Sequence, residues 1–258
     1  MNIEELSELL EELHDRYNRP EFIESDPISI PHLFAERGDR EVSGFLTATI
    51  AWGNRKAILK SARRMMELME WQPERFVREA STEDLARAER FVHRTFNGTD
   101  FRTFILSLRH LYDVAGGVGN FVEDSYLRTG DMRSVLADLR REFFVPDHEY
   151  RTEKHLSSIA KGASCKRLNM YFRWMVRNDN RGVDFGLWER IPASALYLPL
   201  DLHSGNVARS LGLLDRKQND WRAVEEVTEA LRSFDPADPV KYDFALFGAG
   251  VFRGATIE

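Results

Sequence analysis

The sequence predicts an all-α fold, and three observations support this prediction. Apolar residues recur at helical spacing along most of the chain, as at Leu6, Leu10 and Leu13. Segments that alternate apolar and polar residues, as half-buried strands do, are scarce. Glycine, proline and asparagine stand where the periodic segments end, which is typical of helix boundaries. No segment repeats at a fixed period, which disfavours a solenoid.

The first part of the chain predicts helices whose ends are marked by glycine or proline. The first helix stops near Pro20, because proline cannot continue a helix. The second breaks at Gly53, the fourth ends at Gly116, and the fifth stops before Pro146. The predicted segments are 3–17, 42–50, 58–69, 101–115 and 135–144.

The second part predicts helices with equally clear starts. One begins at Lys166 and carries a broad apolar face. Another follows Asp201 and ends before Gly212, which suits the left-handed position after a helix. The last begins with Pro239 in its first turn. The predicted segments are 166–176, 202–211, 221–234 and 239–250.

Composition excludes several classes of protein. The single cysteine of this 258-residue chain excludes an internal disulfide and any iron–sulfur or zinc site built from four cysteines. No apolar run approaches the roughly 18 residues that a membrane helix needs. The N-terminal segment is acidic and amphipathic, unlike a secretion signal. We therefore expect a cytoplasmic protein with no membrane partner and no obligate protein partner.

The net charge of −6 and the pI near 5.7 speak mildly against nucleic acid as a partner. Basic residues are nevertheless concentrated in two segments, 55–64 and 154–181, and acidic residues in 4–12 and 225–229. A basic face on an acidic protein therefore remains compatible with the composition.

Asp201 follows an apolar segment with a proline and precedes a short helix. One interpretation is simply a well-capped helix, since Asp is a favourable N-cap residue. Two features favour a functional site instead. His203 and Arg209 add polar groups to a segment otherwise rich in Leu, Val and Ala, and Lys166 begins another helix upstream.

These segments resemble those of the helix-hairpin-helix DNA glycosylases. Members of that superfamily carry a lysine at the start of a helix after a hairpin, and later an Asp-x-His segment leading to Arg and Leu-Gly-Leu. The spacing of Lys and Asp is closer to the archaeal 8-oxoguanine glycosylase branch than to the endonuclease III branch. The whole chain also resembles a largely bacterial family that is associated with this superfamily. The matching residues are Lys166-Arg167-Leu168-Asn169, Leu200-Asp201-Leu202-His203, Arg209 and Leu211-Gly212-Leu213.

The resemblance implies a two-lobed fold with a central cleft inside one globular unit, 1–258. One lobe would combine 1–50 with 215–258, and the other would be 51–214. The implied activity is excision of an oxidised purine, such as 8-oxoguanine, from duplex DNA, with a lyase step and without a cofactor or metal. One departure is the hairpin, where the usual Gly-x-Gly is replaced by the segment 162–165.

In this chemistry Lys166 would attack sugar C1′ to form a Schiff base. Asp201 would stabilise the positive charge on the sugar and accept the proton lost on attack. A lysine with an ordinary pKa of about 10.4 is protonated at neutral pH. The helix N-terminus and neighbouring Arg167 favour the neutral amine, whereas Asp201 opposes this effect.

Further residues are candidates for binding DNA. Asn54 could hydrogen-bond a base edge, although a helix C-cap at Gly53–Asn54 explains it equally well. His203 could contact a phosphate, orient Asp201 or serve only the helix start. The complete set of expected DNA-binding residues is Trp52, Asn54, Arg55, Lys56, Lys161, Arg167 and His203.

Other noticeable residues have simpler interpretations. Trp174 and Trp188 are more readily core aromatics than base-stacking groups. Arg173 and Arg177 are expected on a solvated face, because runs of charge usually are. Arg209 is expected to pair with a carboxylate or a helix end.

Two alternative functions compete with the glycosylase. The first is a non-catalytic nucleic-acid-binding or scaffold protein on the same fold, which the acidic pI and the altered hairpin favour. The second is a metal-dependent phosphohydrolase, with the doublet His14-Asp15 and the Asp201-x-His203 segment as pieces of a His/Asp site.

Overall fold

The protein, described by a computed structural model over residues 2–252, consists of α-helices joined by short 3₁₀ turns and loops. Within that range there is no β-strand. Two isolated bridges occur, one between His93 and Phe96 and one between Ala163 and Asp220. The prediction of an all-α fold is confirmed.

The helices are numbered in chain order. They are α1 (Ile3–Tyr17), α2 (Glu21–Ser25), α3 (Arg37–Thr49), α4 (Arg55–Leu68), α5 (Pro73–Glu79), α6 (Thr82–Ala88), α7 (Gly98–Ala115), α8 (Val118–Thr129), α9 (Met132–Phe143), α10 (Lys166–Val176), α11 (Leu202–Ser210), α12 (Trp221–Arg232) and α13 (Asp243–Phe252). The 3₁₀ turns are Pro27–Ser29, Pro31–Leu33, Tyr150–His155, Ile159–Lys161, Ala193–Ala195 and Pro239–Tyr242.

The chain forms two compact units. The terminal unit contains the N-terminal residues up to Phe22 and the chain from Ser158 onward, and the central unit is Ile23–Ser157. These boundaries differ from those expected for the lobes, which lay near residues 50 and 215. One consequence is that Lys166 and Asp201 belong to the same unit as helix α1.

The terminal unit is built around α10. From Leu168 to the end of α10 every residue is buried, so this helix runs through the interior of the unit. Tyr171 and Phe172 pack against the fully buried ring of Trp188. Helix α13 packs on both α1 and α11. Helix α10 therefore places Lys166 at the end of a rigid, buried element.

The central unit has an aromatic core. Phe104 of α7 contacts Phe45 of α3, Phe143 of α9 and Phe96 of the loop before α7. All four rings are buried. Burying an aromatic side chain of this size contributes about 2 to 3 kcal/mol, so this cluster is a major source of stability for the unit.

The predicted helices are present, but four further helices were not predicted: α2, α5, α6 and α8. Helix α2 spans only five residues. Helices α5 and α6 span only seven residues each, which is too short to show helical periodicity. Helix α8 starts directly after the Gly116–Gly117 pair that was interpreted as a stop. None of the helices in the described range is long and apolar enough to cross a membrane.

Candidate active site

Lys166 and Asp201 lie together. The Lys166 Nζ atom is 3.6 Å from the Asp201 Oδ2 atom, and the side chains are 26% and 20% exposed. The two residues come from the first position of α10 and from the residue that precedes α11. The pair is thus close enough for an ion pair and partly accessible to a ligand.

Asp201 is held by a capping box at the start of α11. Its Oδ1 atom accepts hydrogen bonds from the backbone amides of His203 (2.8 Å) and Ser204 (3.0 Å). In return, the Asp201 amide donates to the Ser204 hydroxyl at 3.0 Å. The capping interpretation is therefore correct, but it uses only one carboxylate oxygen. The other oxygen faces Lys166.

A relay of side chains supports the backbone at Asp201. The Asn219 side-chain amide donates to the Asp201 backbone carbonyl at 2.8 Å. The Arg209 guanidinium in turn donates to the Asn219 side-chain oxygen at 2.6 Å. Arg209 also donates to the Arg216 carbonyl at 2.8 Å. Arg209 is therefore structural, as expected, although its partners are a side-chain amide and a carbonyl rather than a carboxylate. No sequence signal distinguished Asn219.

The hairpin before α10 uses left-handed backbone conformations at two positions. Gly162 has φ of 76°, and Cys165, the N-cap residue of α10, has φ of 51°. A non-glycine residue in this region costs on the order of 1 kcal/mol or more. The Gly162 carbonyl accepts a hydrogen bond from the Trp221 amide at 3.0 Å, which ties the hairpin to α12. Cys165 therefore adopts a conformation that glycine usually supplies.

Asp243, the first residue of α13, is a third charged group near the pair and was not identified from the sequence. Its carboxylate is paired with the Arg173 guanidinium. Burial raises the pKa of Asp243 to about 6; the charge of Asp201 also raises it, while Arg173 and Lys166 lower it. The only signal in the sequence was an acidic residue at a helix start, which is common for electrostatic reasons.

Arg173 and Arg177 form a buried ion-pair network, so the expectation that they lie on a solvated face was wrong. Their side chains are 4% and 1% exposed. Asp184 joins them, at 3.3 Å from Arg173 and 3.1 Å from Arg177. Asp238 and Asp179 each lie 2.8 Å from Arg177. Neither arginine can contact a DNA backbone, because both guanidiniums are enclosed by carboxylates.

The other residues expected near Lys166 lie at various depths. Lys161 is exposed at the end of the 3₁₀ turn Ile159–Lys161. Arg167 is partly buried, and desolvation lowers its pKa to about 10, which leaves it charged at neutral pH. His203 is exposed at the start of α11, and its backbone lies against Gly250 of α13.

Trp52, Asn54, Arg55 and Lys56 belong to the central unit. Asn54 caps the start of α4, where its Oδ1 atom accepts from the Ala57 amide at 3.2 Å. The expected cap therefore exists, but it begins the following helix rather than ending the preceding one. Trp52 is partly exposed, and its ring packs against His93 and His155. The Arg55 guanidinium lies 3.4 Å from the Ser25 hydroxyl. Lys56 is exposed.

Trp174 and Trp188 are fully buried, which agrees with their interpretation as core aromatics.

His14, proposed as part of a metal site, is also buried. Its Nε2 atom lies 2.9 Å from the Asn18 side-chain nitrogen. Burial and the charge of Arg177 lower the pKa of His14 to about 4. Over residues 2–252 no group of three or more His, Cys, Asp or Glu side chains could hold a metal ion. The phosphohydrolase hypothesis thus has no ligand set to support it.

A family model described as "Protein of unknown function (DUF2400)" matches residues 26–252, which is most of the chain. No curated protein matches, and no solved structure matches.

Proposed function

The chain belongs to the DUF2400 family, a family of unknown function, and we propose that it is a DNA glycosylase with an abasic-site lyase activity. Its substrate is an oxidised purine such as 8-oxoguanine in duplex DNA. The proposal combines the similarity of residues 162–213 to the helix-hairpin-helix glycosylases with the geometry around Lys166.

The observation that carries the proposal is the 3.6 Å separation of Lys166 Nζ and Asp201 Oδ2. A solvated lysine at a helix start would not need a carboxylate from another helix beside it. Asp201 is also held in place, because its Oδ1 atom accepts hydrogen bonds from the first amides of α11. A fixed carboxylate next to an accessible amine is the arrangement that Schiff-base chemistry at a sugar carbon requires.

The reaction follows from these two groups. The neutral Lys166 amine attacks C1′ as the bond from C1′ to the base nitrogen breaks, and the bonding electrons and a proton leave with the base. Asp201 stabilises the positive charge that develops on the sugar ring and accepts the proton that Nζ loses. The C1′–O4′ bond then breaks, O4′ takes a proton, and C1′ becomes an iminium carbon bonded to Nζ. The iminium makes the C2′ proton acidic, and removal of this proton breaks the C3′–O bond and expels the 3′ phosphate. Water then releases the lysine.

A non-catalytic nucleic-acid-binding protein is the second candidate. It is favoured by the acidic composition and by the absence of the usual glycine pair in the hairpin. On this alternative, Asp201 is a helix cap and its contact with Lys166 is an ordinary partly exposed ion pair, which contributes at most about 1 kcal/mol.

Borohydride trapping tests the proposal directly. Purified protein is incubated with duplexes that carry 8-oxoguanine or an abasic site, and the iminium is reduced to a stable adduct. We expect an adduct and release of the free base with the wild-type protein. Lys166→Gln should abolish the adduct, whereas Lys217→Gln, at an exposed lysine of the same unit, should retain it. Thermal melting of both variants verifies that they fold.

The possible failures are distinguishable. An adduct on the abasic duplex alone would keep Lys166 as the nucleophile and overturn the assignment of an oxidised purine. An adduct that persists in a folded Lys166→Gln protein would overturn the role of Lys166. With neither adduct nor base release on either duplex, the non-catalytic candidate would replace the enzyme.

A further inference from the structure

Helix α4 carries an exposed stripe of positive charge in the central unit. The helix contains five basic residues and one acidic residue, Glu67, which pairs with Arg64 at 3.0 Å. Lys56, Lys60 and Arg63 are all exposed and stand at positions i, i+4 and i+7, so they share one side of the helix. In the described part of the chain, none of these three has an ion-pair partner. The stripe is therefore a local excess of positive charge on a protein whose net charge is −6.

A fourth cation is held beside this stripe by the loop before α7. Arg94 is exposed and adopts a left-handed backbone conformation, with φ of 55°. Its guanidinium lies so close to Gly53 that a Cβ atom there would be 2.4 Å from the Arg94 Cζ atom. One residue earlier, His93 Nδ1 lies 2.8 Å from the Ser61 hydroxyl of α4. The loop therefore follows the first two turns of α4 and positions Arg94 at the start of that helix.

The opposite side of α4 is buried in the core of the central unit. Ile58, Ala62, Met65 and Met66 are buried, so the helix has no free apolar side. Membrane-surface helices bind by inserting such an apolar side between lipids. A partner of the exposed side must therefore be recognised by charge, which points to a polyanion in water rather than to a bilayer.

The length of the stripe indicates the size of the anion. Lys56 and Arg63 are separated by about 10 Å along the axis, at about 1.5 Å per residue. That distance corresponds to roughly three base-pair steps of a DNA strand at about 3.4 Å each. A single phosphate would contact only one or two of these side chains, whereas a nucleic-acid backbone can contact all of them.

We infer that Lys56, Lys60, Arg63 and Arg94, which we call the α4 face, bind the phosphate backbone of nucleic acid without reading its sequence. The inference shares with the proposed function the assignment of nucleic acid as partner. It concerns binding and not base excision, so it can be tested without any chemistry at Lys166.

The test is the salt dependence of binding to an undamaged, fluorescein-labelled DNA duplex, measured by anisotropy. The test variant combines Lys56→Gln, Lys60→Gln and Arg63→Gln. The matched control combines Arg75→Gln, Arg87→Gln and Arg102→Gln, which removes the same charge from exposed arginines of the same unit that pair with carboxylates. Thermal melting verifies the fold of both.

We expect the test variant to bind about 10- to 100-fold more weakly at low salt. The slope of log affinity against log salt should fall by roughly two to three, since each lost phosphate contact removes about 0.9. The control should keep the wild-type slope.

Equal slopes for wild type and test variant would overturn the inference. So would binding only to equimolar phosphatidylserine–phosphatidylcholine vesicles, which would assign the face to a membrane. Normal DNA binding without base release would leave the inference intact and count against the glycosylase alone.

Discussion

The two carboxylate oxygens of Asp201 have separate partners: Oδ1 accepts from the amides that begin α11, and Oδ2 lies 3.6 Å from the Lys166 amine. The same residue therefore caps the start of α11 and places a carboxylate oxygen beside a candidate nucleophile. These two roles can be separated by substitution, because asparagine caps a helix about as well as aspartate does.

Asp201→Asn should leave stability nearly unchanged and remove activity. The Asn side-chain oxygen can still cap α11, so the free energy of unfolding should change by less than about 1 kcal/mol. Base release should fall by about 10²- to 10³-fold, since the charge that stabilises the transition state is lost. Single-turnover base release and urea unfolding measure the two effects.

The control is Ser204→Ala, which weakens the capping box but keeps the carboxylate. This variant should lose stability and retain most activity. Equal activity in Asp201→Asn and wild type would contradict the proposed role.

Arg177→Met should be strongly destabilising. It would leave the carboxylates of Asp179, Asp184 and Asp238 without their shared partner, and breaking a buried ion pair from one side costs about 3 to 5 kcal/mol. Urea unfolding monitored by circular dichroism measures the change. Arg75→Ala is the exposed control, since it removes a surface pair with Glu79 and should cost less than about 0.5 kcal/mol. A similar small cost for both would show that the network contributes little.

The protein should lose stability between pH 6.5 and pH 4 partly through His14. Burial, together with the nearby charge of Arg177, lowers the pKa of His14 to about 4 in the folded state. As the pH falls below 6.5, the unfolded chain therefore binds a proton that the folded protein cannot bind until about pH 4. Stability consequently falls across that window by an amount on the order of 2 to 3 kcal/mol, since one pKa unit corresponds to about 1.4 kcal/mol.

His14→Gln tests this linkage because glutamine stays neutral at all of these pH values. Its loss of stability from pH 7 to pH 4, measured by urea unfolding, should be smaller than that of the wild type. His203→Gln, at an exposed histidine, should retain the wild-type pH dependence. If both variants lost stability as steeply as the wild type, His14 would not be the group responsible.

Gly53→Ala should destabilise the central unit and disturb the α4 face. Gly53 has φ of 97°, and an added Cβ would lie 2.4 Å from the Arg94 guanidinium carbon. We expect a loss of about 1 to 2 kcal/mol and weaker binding to duplex DNA as Arg94 is displaced. Gly212→Ala is the control, since its φ of 73° brings the same kind of strain but its Cβ would meet no neighbour within 4 Å. It should lose stability without any change in DNA affinity.

Much of the helical structure could be predicted from the sequence because its signals are local. Caps and apolar periodicity involve residues within one or two turns, and they located the start of α10, the cap at Asp201 and the proline before α13. Helices α5 and α6 were missed because seven residues contain too few turns to establish a period.

The sequence by itself determined the all-α class and singled out Lys166 and Asp201 as polar residues at two helix starts. Only the tertiary structure decided that they are neighbours and that Asp243 lies near them. Only the structure, too, showed that Arg173 is buried. The physical reason is distance along the chain: Arg173 pairs with a carboxylate 70 positions away. A lysine or arginine on a helix has the same local pattern whether water or a distant aspartate surrounds it, and only the packed fold distinguishes the two.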